Sequence, residues 1–236
     1  MPAHAADPGN HETAFDDFLT ANGDWQRYST WDDNTSVATH ESLTLRILFE
    51  HGAGPRDAQW TIAAYESPVS ERMWHMTVTP ATPQPILQTL LTALSHGQAS
   101  ETALGTPVTD KTVAQATRPL TDAGWTPTMD GRRLRWQPKA GDVGVQFDAF
   151  AANTPHQPLD TWTIWSGPSI NQPTWAIRAS VYTPAGLLAD LAEELAHGTG
   201  TRRHRSHGTP RQLPQHATVR PATAPPGPQR QAGRPR

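Results

Sequence analysis

Residues 74–97, WHMTVTPATPQPILQTLLTALSHG, recur 101 positions later as residues 175–198, WAIRASVYTPAGLLADLAEELAHG. The tryptophan, the Thr-Pro pair, three leucines and the final His-Gly keep the same spacing in both segments. The agreement needs no gap and is too long to arise by chance. It indicates that one structural unit has been duplicated along the chain.

The duplication extends towards the N-terminus of each segment. Leu-Thr-x-x-Gly followed by tryptophan occurs in residues 19–25 and again in 120–125, and Trp-Thr-Ile in residues 60–62 returns in 162–164. After the second copy, the chain has no hydrophobic periodicity and is rich in proline and arginine, which predicts disorder. We therefore predict a first unit over residues 10–97, a linker over 98–107, a second unit over 108–198 and a disordered tail over 199–236.

Each copy is predicted to consist of a short helix, a set of strands and a longer closing helix. The strands follow from alternating apolar and polar residues, and the short turns between them favour antiparallel hairpins. The fold class is thus α+β, with two tandem repeats that each form an antiparallel sheet of three or four strands flanked by an N-terminal and a C-terminal helix. The predicted first helices are 12–21 and 110–123, and the predicted strands are 36–42, 42–50, 59–65, 73–79, 132–137, 143–150, 161–166 and 174–182.

The closing helix of each copy has the clearest boundaries. Its leucines recur at three- and four-residue spacing and form one apolar stripe, which must cover a face of a sheet. A Thr-Pro pair precedes each stripe and a glycine follows it. These positions predict N-caps at Thr82 and Thr183, first helical residues at Pro83 and Pro184, and left-handed glycine caps at Gly97 and Gly198.

These motifs, together with the arginine-rich segment DGRRLRW at residues 130–136, resemble the SPDY-type actinobacterial domain of unknown function, number 317 of its series. The resemblance covers about residues 14–198 and implies tandem copies of the domain, without an established activity. The Ser-Pro-Asp motif that names the family corresponds to Thr128-Met129-Asp130 in copy two, and it is missing around residues 39–42 of copy one.

Charge is distributed unevenly along the chain. Residues 199–236 hold eight arginines and no acidic residue, whereas the first 198 residues hold 22 acidic and 11 basic residues, a formal charge of −11. Cysteine is absent, which excludes disulfides and thiolate-based zinc sites. Neither a signal peptide nor an apolar stretch long enough for a membrane span is recognisable, so we expect a soluble, cytoplasmic protein without a membrane partner.

No catalytic motif stands out. The chain lacks a Gly-x-Ser-x-Gly elbow, a His-Glu-x-x-His helix and a phosphate-binding glycine loop. His96 and His197 are repeated, but each lies in the last turn of a predicted helix, where imidazole interacts favourably with the helix dipole. We therefore expect no metal and no cofactor, and the sequence favours a function other than catalysis.

The tail predicts contact with a polyanion. Its arginines would bind nucleic acid weakly and without sequence preference, through counterion release. Two other roles are compatible with its composition, namely folding back on the acidic body and keeping the protein in solution. The tail residues that we expect at a polyanion are Arg202, Arg203, Arg205 and Arg211.

The partner that this pattern favours is an unidentified protein, bound by two duplicated lobes packed with approximate two-fold symmetry. Three tryptophans, Trp31, Trp136 and Trp165, have no counterpart in the other copy and are expected at the surface. The predicted interaction residues, which form the basic cluster of the acidic body and its aromatic neighbours, are Arg132, Arg133, Arg135, Trp136 and Trp165. Alternatively, these arginines pair with local acids on the solvent-exposed face of the sheet. An alternative function is that of a nucleic-acid-associated accessory protein, which uses its basic tail for non-specific binding.

Overall fold

The computed structural model describes residues 1–95, 108–154 and 159–201. Within these residues ten strands form a single antiparallel sheet, and five α-helices accompany it. The strands are β1 (Trp25–Ser29), β2 (Thr35–His40), β3 (Leu45–Glu50), β4 (Trp60–Tyr65), β5 (Arg72–Val78), β6 (Thr126–Asp130), β7 (Arg133–Gln137), β8 (Val143–Asp148), β9 (Trp162–Ser166) and β10 (Trp175–Ala179). The helices are α1 (His11–Ala21), α2 (Gln84–Ser95), α3 (Asp110–Asp122), α4 (Ala149–Ala152) and α5 (Ala185–His197).

The two copies share the sheet. Its strand order is β1-β2-β3-β4-β5-β10-β9-β8-β7-β6, so the last strand of copy one pairs with the last strand of copy two. At this junction the Ser180 N–H donates to the His75 carbonyl at 2.9 Å, and the Thr79 N–H donates to the Ala176 carbonyl at 3.1 Å. The junction leaves β1 and β6 as the two edges of the sheet.

The α+β class is confirmed, but the prediction of a separate sheet of three or four strands in each copy is wrong. Each copy contributes five strands, because β1 and β6 precede the strands that the sequence pattern indicates. All five residues of β6 and four of the five in β1 are exposed, so neither strand has the apolar alternation that marks a half-buried strand. Pro127 within β6 further weakens its strand signal.

The helices cover one face of the sheet. Phe49, Trp60 and Ile62 of copy one and Phe147, Trp162 and Ile164 of copy two point to this face and join the helical leucines in one hydrophobic core. The repeated tryptophans at 60, 74, 162 and 175 are all buried there, as their recurrence suggests. The opposite face carries mainly threonine, glutamine and arginine, and we call it the open face.

The predicted N-caps of the closing helices are wrong. Helix α2 begins at Gln84 and helix α5 at Ala185, and Pro184 occupies the N-cap of α5 without a side-chain cap. Within residues 1–95, 108–154 and 159–201 the buried Thr82 hydroxyl has no hydrogen-bond partner, and the Thr183 hydroxyl donates at 3.4 Å to a carbonyl of β5. These threonines therefore belong to the connection between sheet and helix.

The left-handed cap predicted at Gly198 is also wrong, since its φ is −64° and its backbone is extended. The Gly198 carbonyl accepts a hydrogen bond from the Ala3 N–H at 3.0 Å, and Thr199 forms a bridge with Pro2. Pairing with the N-terminal segment thus ends helix α5. Gly97, His96 and the predicted linker lie outside the described residues.

No helix in the described ranges combines the length and the apolar content that crossing a membrane requires.

Candidate functional site

The arginines predicted as an interaction cluster all have partners within the chain. Arg133 donates to Asp148 at 3.1 Å, and Arg135 donates twice to Gln146, at 2.9 and 3.2 Å. Arg132 lies over the ring of Phe150, with 4.2 Å from its guanidinium carbon to the ring centroid. Of these three arginines, Arg133 shows the pairing with a local acid that the sequence left as an alternative, while Arg135 contacts an amide and Arg132 an aromatic ring.

The two tryptophans of the same cluster are buried and lie on opposite faces of the sheet. Trp136 is 6% exposed and packs in the core under the helices, whereas Trp165 is 1% exposed and belongs to the open face. Trp165 lies across Gly144, with the Arg135 guanidinium 6.0 Å from its ring. The expectation that both are surface residues is wrong. It is correct for Trp31, which is 99% exposed.

The remaining sequence candidates contribute no described site. Arg202, Arg203, Arg205 and Arg211 lie outside the described residues, as does His96. His197 is exposed in the last turn of α5, the position from which its interaction with the helix C-terminus is expected.

A polar pocket of about 330 Å³ in copy one was not anticipated from the sequence. It lies between the start of α1, the end of β3 and the start of β4. Its lining residues are Gly9, Asn10, His11, Glu12, Phe49, His51, Gln59 and Pro80.

His11 is buried beside this pocket in its neutral form. The Trp60 indole N–H donates to Nδ1 at 3.0 Å, so Nδ1 accepts and Nε2–H donates to the Thr82 carbonyl at 2.8 Å. The Gln59 side-chain oxygen lies 2.7 Å from Nδ1. If the amide is rotated so that its NH2 group faces the ring, Gln59 donates to Nδ1 and is compatible with this tautomer. Burial lowers the pKa of His11, and the hydrogen bond to the Thr82 carbonyl offsets part of this effect.

His51 belongs to a chain of hydrogen bonds that joins α1 to the sheet. Arg27 donates a hydrogen bond to the buried Ser36 hydroxyl at 3.0 Å. The Ser36 hydroxyl can in turn donate its proton to His51 Nε2, which lies 2.9 Å away. His51 Nδ1 then faces a carboxylate oxygen of Glu12 at 3.3 Å. At the other end Arg27 is paired with Asp16 at 2.7 Å.

Serine, histidine and carboxylate are hydrogen-bonded in the order found in the catalytic triad of hydrolases. The burial of the serine nevertheless does not support hydrolysis. Ser36 is 1% exposed and does not line the pocket, so a substrate bound there would meet Glu12 and the far side of the imidazole. In the described ranges no three histidine, cysteine or carboxylate side chains are grouped to hold a metal ion. The chain of hydrogen bonds therefore fastens α1 to β2 and β3.

Copy two carries different residues at the positions of this polar cluster. Alignment of the first helices at Leu19 and Leu120 places Thr112 and Val113 where copy one has His11 and Glu12. The strand registers place Leu134 opposite Phe147 just as Ser36 lies opposite Phe49, and Ala149 follows where His51 would be. As a result, the buried Trp162 indole N–H finds no hydrogen-bond acceptor among the described residues. A comparison of helix-facing positions between the copies would have found this difference in the sequence.

The turn between β1 and β2 presents an exposed tryptophan on an ordered scaffold. The Asp32 carboxylate accepts hydrogen bonds from the Thr30 hydroxyl at 2.6 Å and from the Asn34 side chain at 2.9 Å and backbone at 3.3 Å. These bonds lower the pKa of Asp32. Trp31, held in this turn, is almost fully in solvent, and Tyr28 on the neighbouring strand is 56% exposed.

Strand β1 also exposes unpaired backbone groups. The Thr30 N–H donates to the Thr35 carbonyl at 2.9 Å, so Thr30 and Thr35 form a hydrogen-bonded pair. This pair determines which residues of β1 hydrogen-bond to β2 and which face outward. Because hydrogen-bonded positions alternate along an antiparallel ladder, Arg27 and Ser29 direct their N–H and C=O groups away from the sheet. We call strand β1 together with the turn 30–34 the β1 edge.

The opposite edge offers fewer of these backbone groups. The two-residue loop 131–132 makes Asp130 part of the closing hydrogen-bonded pair, so Pro127 and Met129 are the outward-facing residues of β6. Following the registers from strand to strand, Pro127 corresponds to Arg27 and Met129 to Ser29. Proline has no N–H to donate, so β6 is protected at the position where β1 is open.

Comparison with known proteins identifies both copies. The family profile described as SPDY, Domain of unknown function (DUF317), matches residues 42–99 and 133–201, which together make up more than half of the chain. The β1 edge precedes the first matched segment. No curated protein and no solved structure matches the chain significantly. The chain therefore belongs to the SPDY family of domains of unknown function and matches it in two tandem segments.

Proposed function

We propose that this protein is a non-enzymatic protein-interaction module and that the β1 edge is its contact surface. The observation that carries the proposal is the 99% exposure of Trp31 on a turn organised by Asp32. An exposed indole contributes nothing to the core, whereas tryptophan and tyrosine are enriched among the residues that dominate protein interfaces. A turn that is ordered before binding also lowers the entropic cost of forming a complex.

The arginines of copy two support a contact surface less well. Arg132, Arg133 and Arg135 already interact with Phe150, Asp148 and Gln146, so a partner would have to compete with these contacts. The neighbouring Trp136 and Trp165 would remain covered. These residues stay a secondary candidate surface.

An affinity pull-down tests the proposed function. The immobilised wild-type chain is compared with Trp31→Ala and with Met129→Ala, which truncates a 75% exposed side chain at the opposite edge. We expect the wild type and Met129→Ala to retain the same specific partner and Trp31→Ala to lose most of it. Equal recovery of that partner by all three proteins would contradict the proposal.

Association with nucleic acid through the tail is the second candidate, and the composition of residues 199–236 favours it. The body, at a charge of −11, would be repelled by a polyanion, so any affinity must come from the tail. Deleting residues 202–236 should abolish binding to a DNA duplex, and binding by the full chain should weaken steeply between low and high salt. Binding that is unaffected by the deletion would exclude this role.

A further inference from the structure

We propose that the β1 edge binds an extended basic peptide segment, which adds a strand to the sheet beside β1. The inference rests on the proposed function and specifies its partner. Three features carry it: outward-facing backbone groups on β1, exposed aromatic side chains beside them, and an excess of carboxylates around them.

The backbone of β1 is suited to strand addition. Arg27 and Ser29 each offer an N–H and a C=O in the direction in which a neighbouring strand would lie. Natural sheet edges usually carry proline, inward-pointing charges or a covering element to prevent such pairing. Pro127 gives β6 this protection, whereas β1 has no proline and its inward-pointing charge, Arg27, is neutralised by Asp16.

The exposed aromatic residues would contact the side chains of an added strand. Tyr28 points to the open face and is half exposed, and Trp31 lies just beyond the end of β1. Residues of a bound strand alternate between the two faces of the sheet, so every second side chain would meet Tyr28 or Trp31. In strand addition, backbone hydrogen bonds supply affinity and such side-chain contacts supply specificity.

The charges around the β1 edge favour a basic partner. Asp24 immediately precedes β1, and Asp32 and Asp33 follow it. Asp16 on helix α1 is close to β1 because it forms an ion pair with Arg27. Arg27 is the one basic side chain in residues 24–34, and its charge is already paired at 2.7 Å. Asp24 contacts His40 at 3.0 Å, so lysine or arginine side chains on a bound segment would be attracted mainly to Asp32 and Asp33.

The same charges disfavour a second copy of the chain as the occupant. Antiparallel pairing of two β1 strands would bring Asp32 and Asp33 of one molecule beside Asp24 of the other. Like charges placed opposite each other on adjacent strands are destabilising. A basic segment from another protein avoids this repulsion.

Peptide binding to the full chain tests the proposal. The probe is a fluorescein-labelled peptide of alternating arginine and valine with blocked ends, and the measurement is fluorescence anisotropy. The controls are the same peptide with glutamate in place of arginine, and one N-methylated at every second amide so that it cannot complete a ladder. We expect the first peptide to bind and both controls to bind at least about tenfold more weakly.

Proline substitutions locate the binding edge. Ser29→Pro removes an outward N–H from β1, and Met129→Pro removes the corresponding N–H from β6. We expect Ser29→Pro to weaken binding about tenfold and Met129→Pro to leave it unchanged, with circular dichroism confirming that both variants are folded. Equal affinities of the two variants, equal binding of the glutamate peptide, or dimerisation through β1 in sedimentation experiments would each overturn the proposal.

The two proposals fail in distinguishable ways. If Trp31→Ala abolishes the pull-down while Ser29→Pro preserves both the pull-down and peptide binding, the interaction function stands and strand addition is wrong. If Trp31→Ala leaves the pull-down unchanged, the β1 edge is not the contact surface of the module.

Discussion

His11 occupies a position in the core where an ordinary apolar residue would leave two polar groups unsatisfied. Its ring accepts from the Trp60 indole and donates to the Thr82 carbonyl, so it bridges the sheet and the connection to α2. In copy two the corresponding Trp162 N–H has no partner in the described part of the chain. The unsatisfied indole N–H is thus tolerated in copy two, whereas in copy one a neutral imidazole forms hydrogen bonds with both the indole and the connection to α2.

The pKa shift of His11 predicts a dependence of stability on pH. Burial holds its pKa below the ordinary histidine value of 6.5, so the folded protein binds fewer protons than the unfolded chain between that lowered pKa and 6.5. The stabilisation is therefore present above pH 6.5 and is lost as the pH falls through this interval. The pKa values of His4 and His75 are also lowered, mainly by burial, and act in the same direction.

We expect His11→Gln to destabilise the protein by about 1–3 kcal/mol at pH 8, because it breaks buried hydrogen bonds. The difference from the wild type should shrink as the pH falls from 7 to 5, since the wild type loses the advantage of a neutral imidazole there. Urea unfolding followed by tryptophan fluorescence at several pH values measures this. A difference that is constant with pH would show that His11 does not titrate on unfolding.

Gly144 is required by the position of Trp165. A Cβ atom at residue 144 would overlap the Trp165 ring, which lies across the glycine on the open face. We expect Gly144→Ala to destabilise the protein by about 1–3 kcal/mol in urea unfolding, because the indole must move. At Gly186 in α5 a Cβ atom would lie more than 4 Å from the described atoms outside its own stretch of helix, so Gly186→Ala should instead stabilise by about 0.5–1 kcal/mol. A stabilising Gly144→Ala together with a destabilising Gly186→Ala would contradict the description of the open face.

At the scale of elements, the helices and inner strands could be predicted from sequence and the outer strands could not. The leucine stripe defines α2 and α5 because burial repeats with the helical period, and α1 and α3 lie within one residue of their predicted bounds. Strands β1 and β6 are almost entirely exposed, so burial leaves no pattern in them. The exposed Trp31 could be singled out from the sequence, but its neighbouring edge required the structure.

Helix α1 is fastened to the sheet through Ser36, and this attachment can be tested. Ser36→Ala removes the buried hydroxyl that hydrogen-bonds to both Arg27 and His51. We expect this to lower the free energy of unfolding by about 1–3 kcal/mol and to speed amide hydrogen exchange in α1. Thr20→Ala is the matched control, because its hydroxyl bonds to the Asp16 carbonyl at the exposed surface of α1. That variant should change stability by less than about 0.5 kcal/mol. Equal exchange rates in both variants would mean that the hydrogen-bond chain does not hold the helix.

On the scale of the whole molecule, the duplication extends one sheet and leaves two different edges. The sequence shows the duplication clearly, but it does not show that β5 pairs with β10, because each strand has the same apolar pattern whether its neighbour belongs to its own copy or to the other. If the copies formed separate sheets, β5 and β10 would also be edges. The contrast between β1 and β6 as the sole outer strands of the described sheet depends on this junction.

Nuclear Overhauser effects across the junction test this claim most directly. Val78 lies opposite Ile177, and Met76 lies opposite Ala179, at positions that do not exchange backbone hydrogen bonds. Such pairs bring their Cα atoms to about 4.5 Å, so strong Hα–Hα cross peaks are expected for both. Their presence would establish one continuous sheet. Their absence, in a spectrum that contains the corresponding cross peaks between β2 and β3, would show that the two copies form separate sheets.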